Sequence, residues 1–100
     1  MIVLTQLIYV YPGKEQAFEE FEAIVLPLLP QYGGELLFRI RPEAATFIAG
    51  SREMPYEIHL VSFDTKAGLA GYSNDELRQR FLHLKNESVR SSILVEGTLA

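Results

Sequence analysis

The sequence predicts an α+β ferredoxin-like sandwich, in which a β-α-β-β-α-β chain folds into a four-stranded antiparallel sheet with its helices on one face. Three observations predict it. Ile2–Tyr11 and Tyr56–Phe63 carry apolar residues on both sides of a period-2 pattern, the mark of strands covered on both faces. Segments starting near Lys14 and Ser73 switch to helical spacing, with charge gathered on one side. Breakers at Pro12-Gly13, Tyr32-Gly33-Gly34, Pro42 and Gly97 separate the elements. Right-handed crossovers put the first and third strands at the sheet's centre, and those are the two with doubly apolar faces.

Composition sets the outer bounds. One hundred residues with 48% hydrophobic and 22% charged suit one globular domain spanning 1–100. Thirteen acidic residues against nine basic ones give a net charge of −4, which argues against nucleic acid and anionic membranes as partners. There is no cysteine, so disulfides, thiolate catalysis and Cys-based metal sites are excluded. Met1–Gln6 lacks a basic n-region, and no apolar run approaches the ~20 residues of a membrane span. A reducing cytoplasm is the expected location.

In order, the first strand, Ile2–Tyr11, sends Val3, Leu7, Tyr9 and Tyr11 to one side and Ile2, Leu4, Ile8 and Val10 to the other, with Gln6 the polar exception. Phe18, Phe21, Val25 and Leu28 then define a helix face, and Glu15, Glu19, Glu20 and Glu22 are assigned to its outer positions. Pro27 should kink or end that helix, and the glycines after Tyr32 supply a left-handed stop. Glu35–Arg41 alternates as the second strand, with Leu36, Phe38 and Ile40 on one side. Residues 43–54 read as an extended arm of the next hairpin, with a short strand over 46–49 as the alternative. After the third strand, Thr65 caps a short helix, Lys66–Tyr72, weakened by Gly68 and Gly71. Ser73 and Glu76 form a capping box for the next helix, whose Arg78, Arg80 and Lys85 should face the acidic first helix. Ser92–Glu96 is the fourth strand.

Helices cover one sheet face only. If the apolar sets Leu36, Phe38, Ile40 and Tyr56, Ile58, Leu60 go to the helices, the open face carries Glu35, Leu37, Arg39, Arg41, Glu57, His59, Val61 and Phe63. The first strand adds Thr5, Leu7, Tyr9 and Tyr11. A surface that apolar calls for a second copy of the chain, and isologous two-fold pairing is the commonest solution.

Chemistry-bearing residues gather on that same set. Glu57 and His59 are two apart on one strand, hence on one side, and a carboxylate beside an imidazole fixes its tautomer for general-base work. They are the candidate catalytic pair, with a polar contact inside an interface as the bland reading. Arg39 and Arg41 are candidate ligand-binding residues that would clamp an anion, or else pair with Glu57 and Glu35 across the sheet. Tyr9 and Tyr11 are candidate hydrogen-bonding residues. His83 sits on a helix, and its spacing from His59 and Glu57 matches no metal-ligand pattern. Gly33-Gly34 lies at the wrong helix end for a phosphate, and the third strand lacks the basic-Gly-aromatic signature of RNA recognition. No cofactor is implied.

Several short motifs carry a family resemblance along nearly the whole chain. They are Tyr32-Gly33-Gly34 after an acidic helix, Leu60-Val61-Ser62-Phe63-Asp64-Thr65, Tyr72-Ser73-Asn74-Asp75-Glu76 and Ile93-Leu94-Val95-Glu96-Gly97. Together they resemble a domain-of-unknown-function family of the dimeric α+β-barrel superfamily. Pro12-Gly13-Lys14 is similar to the superfamily's NIPSNAP-like members. The resemblance implies a homodimer with a cavity between sheets or under the helices, in a superfamily that includes quinol-type monooxygenases. The resulting expectation is a small-molecule-binding homodimer, with cofactor-independent monooxygenase or isomerase activity on a small organic acid or ring. His59 is then the base, Glu57 its orienter and Arg39 the anion partner. The alternative is a non-catalytic ligand-sensing or dimerisation module.

Overall fold

A computed structural model describes residues 1–99. Four strands, β1 (Ile2–Val10), β2 (Gly34–Ile40), β3 (Glu57–Phe63) and β4 (Val89–Gly97), form one antiparallel sheet in the order β2-β3-β1-β4. The helices are α1 (Glu15–Val25), α2 (Lys66–Ser73), α3 (Glu76–Arg80) and α4 (Leu82–Ser88). They lie on one face, with α1 beside α4. The ferredoxin-like expectation holds, down to β1 and β3 at the centre. Among the described residues no helix is long and apolar enough to cross a membrane.

Local chemistry explains most element boundaries. Phe18, Phe21 and Val25 are buried on the inner face of α1. Pro27 turns its end into a 3₁₀ segment, Leu26–Tyr32, that closes on Gly33 at φ 69°, a left-handed position that favours glycine. Thr65 caps α2 by accepting from the Gly68 amide at 3.0 Å. The expected Ser73–Glu76 capping box is not formed. Asp75 is the N-cap of α3, accepting from the Arg78 amide at 3.0 Å, because α2 continues through Ser73. Residues 44–46 form a single 3₁₀ turn rather than a strand.

β3, and β2 beyond Leu37, present their faces the other way round from the expectation, whereas β1 keeps the expected one, with Thr5 and Leu7 opposite the outward Leu60 and Ile58. In register, β1 and β3 pair Ile2 with Phe63, Leu4 with Val61, Gln6 with His59 and Ile8 with Glu57. Phe18 of α1 stacks on the His59 ring at 6.5 Å between centroids, so this row faces the helices. The apolar row Ile58 and Leu60 faces away, beside Phe38, which is 60% exposed. The expectation followed hydrophobicity alone, and the neutralised charges described below remove the penalty that would have kept Glu57 outside.

Strand β2 adds a second surprise. Leu36 pairs with Val61 but Phe38 pairs with Leu60, so Leu37 is an extra, bulged residue. A bulge exchanges the faces of everything beyond it. Leu36 therefore shares the helix side with Arg39, while Glu35, opposite Ser62, does not.

Gly68 has a packing role that propensity does not show. A Cβ there would meet the Tyr32 carbonyl oxygen at 2.2 Å, so α2 seats directly on the backbone of the preceding layer. Gly68→Ala should raise helix propensity yet lower stability by ~1–3 kcal/mol through overpacking. Chemical denaturation checks this, and a stabilised variant would contradict the seating.

Candidate functional site

The site is built on the helix side of β3. Glu57 is 1% exposed and His59 is 3% exposed. A buried carboxylate is costly unless its charge is met by partners, and here three side chains meet it. Arg39 Nε donates to Glu57 Oε2 at 2.9 Å, and Arg41 Nη2 donates to Oε1 at 2.7 Å. His59 Nε2 also bonds Oε2. Both arginines reach on to Glu19 of α1, Arg39 at 3.0 Å, and Arg41 lies 4.5 Å over the Tyr56 ring. Two carboxylates and two guanidiniums thus form a closed network joining β2, β3 and α1. Burial alone would raise the Glu57 pKa, but the hydrogen bonds from His59, Arg39 and Arg41 outweigh it and hold it at about 2.

This network fixes the histidine tautomer. A carboxylate accepts only, so His59 Nε2 carries the proton and the lone pair of the neutral ring sits on Nδ1. Among the described residues Nδ1 has no protein hydrogen-bond partner. The ring is held from one side by Glu57 and from another by Phe18.

His59 lines a cavity of about 210 Å3 between sheet and helices. Gln6, Leu4 and Val61 form its floor; Phe21, Glu22 and Val25 of α1, Tyr72 of α2, Arg78 of α3 and Lys85 of α4 form its roof and walls. Glu22 is buried and raised in pKa, chiefly by desolvation, with His59 and Arg78 pulling the other way. Burial pushes the Tyr72 hydroxyl up to about 12. Desolvation, aided by Arg78, lowers Lys85. The arrangement can hold a small, mostly apolar molecule beside the His59 ring and surround its polar end with donors. Among the described residues no group of three potential metal ligands comes together.

The sequence-derived site residues divide. Glu57, His59, Arg39 and Arg41 do come together on one side of the sheet, as expected, but under the helices and not between subunits. Arg39 and Arg41 are occupied by Glu57 and Glu19, and they are not among the cavity's lining residues. Tyr9 is on the opposite face, where its hydroxyl donates to the Glu53 carbonyl at 2.8 Å and Arg90 lies 5.4 Å over its ring. It anchors the β2–β3 loop, and Gln6 is the true cross-strand neighbour of His59. Tyr11 lies beyond β1, exposed and away from the cavity. The acidic and basic helices do face each other, with Glu22 of α1 across the cavity from Arg78 and Lys85. Glu19 turns to the sheet arginines, however, and no direct ion pair within 4 Å joins α1 to α3 or α4 among the described residues.

Sequence reasoning missed Gln6, Glu22, Tyr72, Arg78 and Lys85. Signals existed for two of them. Gln6 is the one polar residue in an apolar inward row. Glu22 lies four residues after Phe18 and three before Val25, which puts it on the buried helix face and not the outer one.

No protein-family model and no curated protein matches the chain. Solved structures do, and they establish a ferredoxin-like fold of the kind found in dimeric α+β proteins. An uncharacterized NIPSNAP domain protein from Burkholderia xenovorans superposes with a TM-score of 0.72 at 14% identity, covering 100% of this chain and 95% of that one. A dimeric ferredoxin-like protein of unknown function from Jannaschia sp. CCS1 gives 0.71 at 21%, covering 98% of both chains. A proposed antibiotic biosynthesis monooxygenase from Nitrosomonas europaea gives 0.72 at 14%, covering 100% of both.

The Glu57 network should be visible in stability. Its pKa is about 2 in the folded protein against 4.5 ordinarily, so its contribution is full above 4.5 and is lost as pH falls towards 2. Glu57→Gln should cost about 3 kcal/mol at pH 7, the low end for breaking a buried pair because Arg41 is half exposed. Denaturation at pH 7 and pH 3 checks both, and the difference between wild type and variant should shrink at the lower pH.

Proposed function

We propose that this chain is a cytoplasmic homodimer, one domain per subunit, that binds a small organic molecule in the cavity beneath its helices. His59 is its general base, in cofactor-independent chemistry of the monooxygenase or isomerase type. The observation that carries this reading is the oriented His59: Nε2 bound to Glu57, whose carboxylate form Arg39 and Arg41 favour, Nδ1 without a protein partner among the described residues, and the ring lining a cavity. The base takes a proton from an acidic C–H or O–H, and the electron pair stays on the substrate. Returning the proton to another carbon completes an isomerisation, whereas transfer of one electron from the carbanion to dioxygen, and combination of the two radicals into a peroxide anion, begins an oxygenation. At about 210 Å3 the space is below the ~300–1,000 Å3 of drug-sized pockets, which suits one ring or a short acid. The monooxygenase comparison supports this chemistry by analogy of fold.

Dimerisation is supported by the outer sheet face. Phe38, Ile40, Ile93 and Val95 are exposed there, a contiguous apolar surface of a kind rare on monomers, and the Jannaschia protein of the same fold is dimeric. A cysteine-free chain fits a reducing compartment. The rival, a ligand-sensing module without catalysis, draws on the saturation of Arg39 and Arg41 by Glu57 and Glu19, which leaves neither free for a substrate.

Two measurements test the proposal. Solvent deuterium should enter the benzylic carbon of phenylpyruvate, used as an enolisable probe, and His59→Gln should slow that exchange by about a hundredfold or more. Binding without exchange would favour the sensor. Light scattering should give twice the 11.3 kDa chain mass, falling to one chain in Phe38→Asp. A monomeric wild type would remove the dimer.

A further inference from the structure

The cavity described above has an unexplained wall. Arg78 Nε is buried without a hydrogen-bond partner, which is costly for a charged donor. The guanidinium is fixed in place, 5.7 Å over the Phe21 ring and 5.3 Å over the Tyr72 ring, with Nη1 donating to the Ser73 carbonyl at 3.3 Å. Asp75 caps the short helix that carries it, and Tyr32 in turn bonds Asp75, so its backbone is braced as well. Lys85 lines the same cavity from α4, and no ion pair meets it among the described residues. Glu22 of α1 lines the same cavity, but no ion pair within 4 Å joins it to Arg78 or Lys85 among the described residues. Glu57, by contrast, is fully engaged by Arg39, Arg41 and His59.

We infer that Arg78 and Lys85 form the receptor for the anionic end of the ligand, so that the cavity takes a small organic carboxylate whose apolar body lies against Phe21, Val61 and Leu94. This deepens the proposed function and rests on its reading of the cavity as the binding site. It also moves the anion contact from Arg39, where the strand pattern placed it, to α3 and α4. The geometry sets a polarity for the bound molecule: carboxylate at the helix wall, reacting carbon towards His59 on the sheet floor. An uncharged ligand of the same shape offers Arg78 Nε only a neutral acceptor in place of a charge-assisted one and binds more weakly.

Benzoate and its neutral isostere benzamide separate the claims. Each is titrated into 15N-labelled protein, and amide shifts of Gln6, Val61 and Leu94 report occupancy of the cavity. The expected result is benzoate binding at least tenfold tighter than benzamide. Arg78→Gln and Lys85→Met should each weaken benzoate at least fivefold while leaving benzamide within twofold. If both probes bind equally and the variants change nothing, the cavity is a binding site but the anion receptor is overturned. If neither probe shifts cavity resonances at millimolar concentration, or benzoate shifts only surface ones, the inference falls, and with it the cavity reading. Because Arg78 packs on Phe21 and Tyr72, circular dichroism checks the fold of Arg78→Gln. Should it be unfolded, Lys85→Met and the charge-retaining Arg78→Lys decide: an unchanged benzoate affinity in both overturns the inference.

Discussion

A buried carboxylate organises this molecule. Glu57 sits on the inner side of a central strand, where an unpaired charge would cost several kcal/mol. Four side chains meet that charge or balance it: Arg39 from β2, Arg41 just past the end of β2, His59 two residues on, and Glu19 on α1 pairing both guanidiniums. The network ties the sheet's edge to the first helix. It also does something that apolar packing cannot, since it leaves one imidazole with a defined tautomer and a free nitrogen. Stability and potential chemistry thus share a single group. A buried ion network is seldom the most stabilising use of a core position, and its retention here is understandable if the oriented imidazole is what it provides.

The same constraint explains the shape of the rest. With Glu57, His59 and Arg39 on the inner face, Phe38, Ile40, Ile58 and Leu60 fall on the outer one, beside Ile93 and Val95 of β4. That inversion leaves Phe38, Ile40, Ile93 and Val95 uncovered, and so ties the interior chemistry to assembly. The Leu37 bulge is part of the arrangement. Without it β2 could not place Leu36 and Arg39 on the same side.

How far the sequence could be read follows from what alternation encodes. Topology was legible because doubly apolar strands, prolines and a Gly-Gly stop each act locally. The grouping of Glu57, His59, Arg39 and Arg41 was legible too, since a period of two places side chains on a common side. Which side that was depended on the mutual neutralisation of charges distant in sequence, and hydrophobicity carries no trace of it. The bulge at Leu37 has no residue signature. Arg78 and Lys85 read as solvated helix charges because the sequence spacing treats Ser73–Ser88 as one regular helix, whereas it is divided into α3 and α4.

The central claim is that Glu57 fixes His59 with Nδ1 open to the cavity. Long-range 1H–15N NMR of the imidazole, at a pH where the ring is neutral, reads this directly. The account predicts a proton on Nε2 and a bare Nδ1 whose resonance moves when a ligand occupies the cavity. A proton found on Nδ1, or an Nδ1 resonance indifferent to a ligand that shifts the Gln6 and Leu94 signals, would contradict it.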